Sequence, residues 1–306
     1  MILNLNDLPI FLVHTTYSQL NQLRKISAKY LFGEAKKSFQ QYDIPERESI
    51  LYILFADIFE LSKIDILSNK EIEWSSSDQQ KLDTCINRLN ALEPVQYVVG
   101  KTFFYKSYFR VNSSTLIPRP ETEELVQLIV SDNTLPAPKI IDIGTGSGCI
   151  AISLAAEIPN ATVSALDISA EALSTARINA KENNVNVLFH ELDFLTNQDA
   201  VTETFDIIVS NPPYVLESEK VHMRQNVLAH EPHLALFVAD THALIYYESL
   251  LGFAVKNLCH GGYVYAEINE QKGNDMILLA EKYNLADAVI IKDMYQKDRI
   301  FKAKKI

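Results

Sequence analysis

Three of the chain's nine glycines, Gly144, Gly146 and Gly148, fall within five residues of the segment IIDIGTGSGCIAISLA. Residues without side chains let a backbone turn tightly and approach a ligand, and a helix start offers unpaired N–H groups. The loop Gly144-Thr145-Gly146-Ser147-Gly148 therefore reads as a ligand cradle, with a plain strand–helix turn as the alternative. Its GxGxG spacing differs from the GxGxxG of dinucleotide folds. Asp167 ends the segment ATVSALD, 23 residues after Gly144. An acid there can accept hydrogen bonds from ribose hydroxyls, or cap a helix starting near Ala170, for which Ser169 is equally available. Loop and acid together indicate an adenosine-type ligand and do not choose between a nicotinamide cofactor and S-adenosylmethionine. Asp193 could hold the exocyclic amine of adenine and Phe194 could cover the base; a solvated acid beside a core Phe is the plainer option.

The segment FDIIVSNPPY, residues 205–214, carries the most specific chemistry. It reads as a buried strand running into Asn211-Pro212-Pro213-Tyr214. Prolines donate no N–H and fix φ, so the carbonyls there are held and unpaired. The Asn211 side-chain oxygen and such a carbonyl are two acceptors aimed at one place. That pair suits a substrate –NH2 group, whose lone pair it would turn toward an electrophile. Tyr214 offers an aromatic wall for a planar amide or base. A rigid turn with an Asn cap is the competing explanation.

These residues need elements to hold them. From residue 139 on, strand and helix signals alternate. Strands are expected over Lys139–Ile143, Ala161–Leu166, Asn186–His190, Phe205–Ser210, Gly262–Ile268, Ala288–Asp293 and Arg299–Ala303. Helices are expected over Cys149–Glu157, Ala170–Asn183, Ala243–Asn257 and Gln271–Tyr283. Such alternation predicts an α/β, doubly wound, largely parallel sheet, with ligands at the carboxyl ends of its strands. The last two strands are joined too tightly for a parallel crossover, so that pair is expected to be antiparallel. Residues 1–92 read as a helical bundle, with an apolar stripe over Pro45–Leu61 and Ser75, Ser76 and Ser77 as caps for the next helix. Residues 93–117, rich in β-branched and aromatic residues, are expected to form a linking β-hairpin, and residues 118–306 the ligand-binding domain.

The chain has 306 residues and a formal net charge of −11. Lys and Arg number 10 against 13 Asp and Glu in residues 1–100, and 18 against 26 beyond. Neither half is a nucleic-acid domain by bulk charge. Three cysteines without a CxxC pair argue against a disulfide framework or a Cys-built zinc site. His230 and His233 flank Glu231-Pro232, but Pro232 spoils a helical ligand pair, so no metal is expected. No signal peptide and no membrane span is read, and a cytoplasmic protein is expected.

DIGTGSG, ALD and NPPY, in this order, resemble the class I S-adenosylmethionine-dependent methyltransferases that act on amide or amino nitrogens. TLIPRPETEELV (115–126) narrows the resemblance to the HemK/PrmC family. These are protein-(glutamine-N5) methyltransferases that modify the Gln of the Gly-Gly-Gln tip of peptide-chain release factors. Further similarity lies in EPVQYVVGKTFFYKSYFRV (93–111), Glu231-Pro232 with Ala235-Leu236, GGYVYAEI (261–268) with Gln271, and Asp293 with Arg299. The resemblance implies a seven-stranded Rossmann-like sheet with its last strand antiparallel, and S-adenosyl-L-methionine as cofactor. It implies that Gly144–Gly148, Asp167, Phe194 and Asn211 contact that cofactor, and that Asn211–Tyr214 grip the target glutamine. It also implies that the N-terminal domain helps to dock the release factor. Two residues depart from the family pattern: Asn269 stands where Gly is usual, and Phe194 where many members have Trp. A left-handed turn at Asn269 remains accessible to Asn.

Two other functions fit parts of this pattern. An adenine-N6 nucleic-acid methyltransferase would use Asn-Pro-Pro-Tyr on a base amine, but would want a basic groove. A non-catalytic S-adenosylmethionine-binding module would have no physical reason to keep the amide grip.

Overall fold

The computed structural model describes residues 23–306. The expected helical character of residues 1–22 lies outside the described residues. The chain forms two compact units that divide between Val99 and Gly100.

In the first unit, Asp43 accepts the Glu46 N–H at 3.0 Å and Pro45 occupies the first turn, which starts the helix Ile44–Phe59. Ser75 and Asp78 cap one another's backbone and start the helix Ser76–Asn90. These two and the helix Ala28–Ser38 bury Leu31, Leu51, Leu54, Phe55 and Leu89 in one cluster. The purely helical expectation needs correction, because Arg24–Ser27 pairs antiparallel with Glu71–Trp74. At four residues each, these strands are too short for alternation to mark them.

The strand expectation for the start of segment 93–117 also fails. Val95–Val99 is a short helix, opened by the Pro94 carbonyl accepting from the Tyr97 and Val98 N–H groups. Arg88 ties its end down, donating to the Tyr97 and Val98 carbonyls at 3.0 and 3.2 Å. Tertiary packing and this cap override the β-propensity of VQYVV. The hairpin itself is confined to Lys101–Phe104 and Ser107–Arg110.

The second unit is built on a seven-stranded sheet. Its strands in chain order are β1 (Lys139–Ile143), β2 (Thr162–Asp167), β3 (Leu188–Glu191), β4 (Phe205–Ser210), β5 (Leu258–Glu267), β6 (Leu285–Lys292) and β7 (Asp298–Lys305). Their spatial order is β6-β7-β5-β4-β1-β2-β3. All neighbours are parallel except β7, which lies antiparallel between β5 and β6. This is the doubly wound seven-stranded sheet with its last strand antiparallel that the sequence resemblance implies. β1 and β4 read as near-continuous apolar runs because helices cover both faces, and Ile140, Ile141, Ile208 and Val209 are buried. The helices Cys149–Glu157, Ala170–Glu182, Ile245–Asn257 and Gly273–Lys282 follow the expected order. From β1 the chain winds outward to β3, then returns to β4 on the other side of β1. The crevice between the carboxyl ends of β1 and β4 is therefore the switch point where such sheets bind ligands.

Candidate active site

The glycine loop leaves β1 and folds back over β2, its Gly144 and Thr145 N–H groups both bonding the Leu166 carbonyl at 2.9 Å. Asp167, at the tip of β2, braces the loop from the side. One carboxylate oxygen accepts from the Gly146 N–H at 2.7 Å, the other from the Ser169 N–H at 2.9 Å. Burial pushes the Asp167 carboxyl up, while these backbone donors oppose the shift. Each oxygen keeps a further lone-pair direction for a ligand.

The glycines divide into two roles. Gly146 has φ +56° and a Cβ there would meet nothing within 4 Å. Gly148 has φ +82°, but a Cβ would press on the Ile152 Cδ1 at 2.8 Å and the Ala176 Cβ at 3.1 Å. Gly146 thus faces open space, and Gly148 lets the helix Cys149–Glu157 approach the helix Ala170–Glu182. Thr145 turns inward and donates to Asp142 at 2.6 Å, and the Ser147 carbonyl accepts from Asn179 at 2.8 Å.

A cavity of about 260 Å³ opens over this loop. Gly144, Gly146, Asp167, Asp193, Phe194 and Asn211 all line it. Six of the residues singled out from sequence therefore converge on one space, from the ends of β1, β2, β3 and β4. Pro212 and Pro213 line it as well, whereas Thr145, Ser147, Gly148 and Tyr214 do not. Phe194 is 9% exposed and held edge-on by Phe253, with ring centroids 5.4 Å apart. Asp193 caps its own helical turn, accepting from the Leu195 N–H at 3.1 Å and the Thr196 hydroxyl at 2.8 Å. The far wall includes Ser114, Leu116 and Pro232. That wall is fastened by buried Glu231, which accepts from Arg119 at 2.7 Å and from the Ile117 N–H at 3.2 Å.

Beneath the cavity lies a polar network that no spacing rule pointed to. Asn211 donates through Nδ2 to the Thr122 Oγ1 at 3.2 Å. Thr122 donates to the Glu267 Oε2 at 2.6 Å, and Tyr214 to the Glu267 Oε1 at 2.9 Å. Burial pushes the Glu267 carboxyl up, while the two hydroxyls and the Arg299 charge pull it back. Tyr214 thus turns its hydroxyl to Glu267 instead of walling the cavity. Thr122 and Glu267 sit in the TLIPRPETEELV and GGYVYAEI segments, yet their types alone gave no reason to single them out. Tyr246, a further lining residue, stands outside every motif. Asn269 does not take a left-handed φ. Its side chain instead holds the Gln271 N–H at 3.0 Å and the Tyr214 carbonyl at 3.3 Å, which anchors the end of the Asn-Pro-Pro-Tyr segment.

Residues 31–100 match the PrmC N-terminal domain and residues 121–235 the methyltransferase small domain. A release factor glutamine methyltransferase of Flavobacterium psychrophilum is 44% identical over 85% of this chain and 93% of its own length. One from Bacteroides thetaiotaomicron is 44% identical over 88% of this chain and 96% of its own. One from Lactococcus lactis is 40% identical over 83% of this chain and 93% of its own. The chain belongs to the release factor glutamine methyltransferases. The cofactor of this methyltransferase family is S-adenosyl-L-methionine.

The residues present fit that cofactor. The cavity carries the carboxylates of Asp167 and Asp193, which suit a ligand with a positive sulfonium. Gly146 leaves space where any side chain would intrude. Below the loop, fully buried Asp142 keeps its Oδ1 without a hydrogen-bond partner, and the Ser147 hydroxyl is likewise unpaired. Neither group lines the cavity, so both belong to the packing under the loop and not to the ligand surface. Burial pushes the Asp142 carboxyl up to about 7.

Proposed function

We propose that this protein transfers a methyl group from S-adenosyl-L-methionine to the side-chain amide N5 of the glutamine in the Gly-Gly-Gln motif of peptide-chain release factors. The observation that carries this reading is the position of Asn211. It lies at the carboxyl end of β4, in the wall of the cavity shared with the glycine loop, with its Nδ2 engaged by Thr122.

When bound, the cofactor supplies a methyl carbon that its sulfonium charge already makes electrophilic. The backbone of Gly144 and Gly146 would pass beneath it, Asp167 would accept from its ribose hydroxyls, and Phe194 would cover its base. Asp193 would take the adenine amine. Gly148, Thr145 and Ser147 serve by shaping the loop. Asn211 Oδ1 and the Pro212 carbonyl would accept the two N–H bonds of the substrate amide. An amide nitrogen is a weak nucleophile, so its alignment must supply much of the rate, up to roughly 7–11 kcal/mol for well-oriented groups. Pro212 and Pro213 keep that carbonyl rigid, and Tyr214 fixes the far end of the grip through Glu267.

The unit ending at Val99 would dock the release factor, and the reaction would take place in the cytoplasm, where release factors act. The relatives reported above are named for glutamine and not for a nucleic acid. The test offers a labelled methyl donor with an unmodified release factor, with the same factor carrying Gly-Gly-Ala, and with an adenine-containing oligonucleotide. Label in the first alone is expected; label in the oligonucleotide contradicts the reading.

A further inference from the structure

The Asn211 amide can do its work in only one of its two orientations. With Oδ1 toward the substrate it accepts from an –NH2 group; turned by 180°, it meets that group donor to donor. The two orientations have nearly the same shape, so packing does not choose between them. Something with a definite hydrogen-bond polarity must.

The chain Asn211–Thr122–Glu267 has that polarity. Glu267 ends β5 and is 1% exposed; Thr122 lies in the first turn of the helix Pro120–Asp132 and is 2% exposed. Each Glu267 oxygen takes a hydroxyl donor, and the Arg299 charge adds to these in favouring the ionised form, so the carboxylate acts here as an acceptor only. The Thr122 hydroxyl has a single hydrogen, and at 2.6 Å it goes to the Glu267 Oε2. Toward Asn211 the Thr122 oxygen can then only accept, so it is the Nδ2 of Asn211 that faces it, at 3.2 Å. The second Glu267 oxygen is held by the Tyr214 hydroxyl at 2.9 Å, which keeps the carboxylate from turning away. We propose that Thr122 and Glu267 are positioning residues for methyl transfer, fixing the Asn211 amide with its oxygen toward the glutamine nitrogen. The assignment rests on the glutamine-methylating function and adds to it the pair that sets the direction of its acceptor.

The assay is steady-state methyl transfer to an unmodified release factor, with cofactor affinity measured by calorimetry on the same proteins. Thr122→Val keeps the shape and removes the hydroxyl; Thr122→Ser keeps the hydroxyl. For Thr122→Val, kcat is expected to fall at least tenfold while KM for the release factor and the cofactor Kd stay within about twofold. Thr122→Ser is expected to retain at least half the parental kcat. Parental kcat in Thr122→Val overturns the proposal. So does a loss in Thr122→Ser equal to that in Thr122→Val, or a cofactor Kd that weakens in step with kcat, since either makes Thr122 a packing residue. The parental protein in the same assay reports separately on the underlying function: absence of transfer there contradicts that function and, with it, this proposal.

Discussion

Exchanging the two glycines at the ends of the loop separates ligand binding from folding. Both Gly146 and Gly148 have positive φ, so alanine at either brings a left-handed strain of roughly 1–2 kcal/mol. At Gly148 the new methyl also meets Ile152 at 2.8 Å and Ala176 at 3.1 Å. Ile152 can turn its terminal carbon, but Ala176 can yield only by moving its helix, and such overpacking costs about 1–3 kcal/mol more. At Gly146 the methyl meets no protein atom and projects from a loop residue that lines the cavity. For a unit of this size each kcal/mol is about 2–4 °C in Tm. Gly146→Ala is therefore expected to lose a few degrees, and Gly148→Ala roughly twice as much. Cofactor affinity is expected to run the other way: at least a tenfold loss in Gly146→Ala, and under threefold in folded Gly148→Ala. Calorimetric titration and thermal melts on the two variants give both readouts. Parental cofactor affinity in Gly146→Ala would refute the assignment of the loop. A Gly148→Ala protein that melts normally but cannot bind would refute the division of roles.

Asn211→Ala removes an acceptor from the transferring nitrogen; a lone hydrogen bond of about 0.5–1.5 kcal/mol would give roughly a tenfold fall in kcat, and a much larger fall in single-turnover transfer is expected because orientation is lost as well. Asn211→Asp keeps the shape and the acceptor but adds charge and loses the donor to Thr122, so it is expected to transfer no faster than Asn211→Ala; parental rates in either contradict the grip. Asp142 ionises with difficulty when folded, so its contribution to stability is present below its ordinary range near 4 and is lost as pH rises through about 7. Melts of Asp142→Asn against the parent should show the variant gaining relative stability from pH 5 to pH 8, and a constant difference would remove the basis for that shift. Because each unit has its own buried cluster, a chain of residues 100–306 is expected to bind cofactor with parental affinity and to methylate an intact release factor poorly; full-rate transfer by that chain would give the first unit another purpose.

The sheet was legible in the sequence because its physics is local. β1 and β4 are apolar runs bounded by Gly and Pro, and the five residues between β6 and β7 admit only an antiparallel turn. The ligand-facing loop residues were legible for the same reason, since Gly146 and Asp167 act through backbone geometry within one β–α–β unit. What was not legible depends on distant partners. Thr122 and Glu267 are 145 residues apart and become a pair only when the helix Pro120–Asp132 packs beside β5. Tyr246 enters the cavity wall by its place on a helix, with no motif around it. VQYVV looks like a strand until Arg88 and Pro94 cap it as a helix. Asn tolerates a left-handed turn, yet Asn269 does not adopt one, and its side chain bonds Tyr214 and Gln271 across the sheet end instead.

The most direct measurement is mass spectrometry of an unmodified release factor after incubation with this protein and S-adenosyl-L-methionine. One methyl on the glutamine of Gly-Gly-Gln is predicted, present with the parental chain and strongly reduced with Asn211→Ala. A release factor that stays unmodified, or carries its methyl on another residue, would contradict the account.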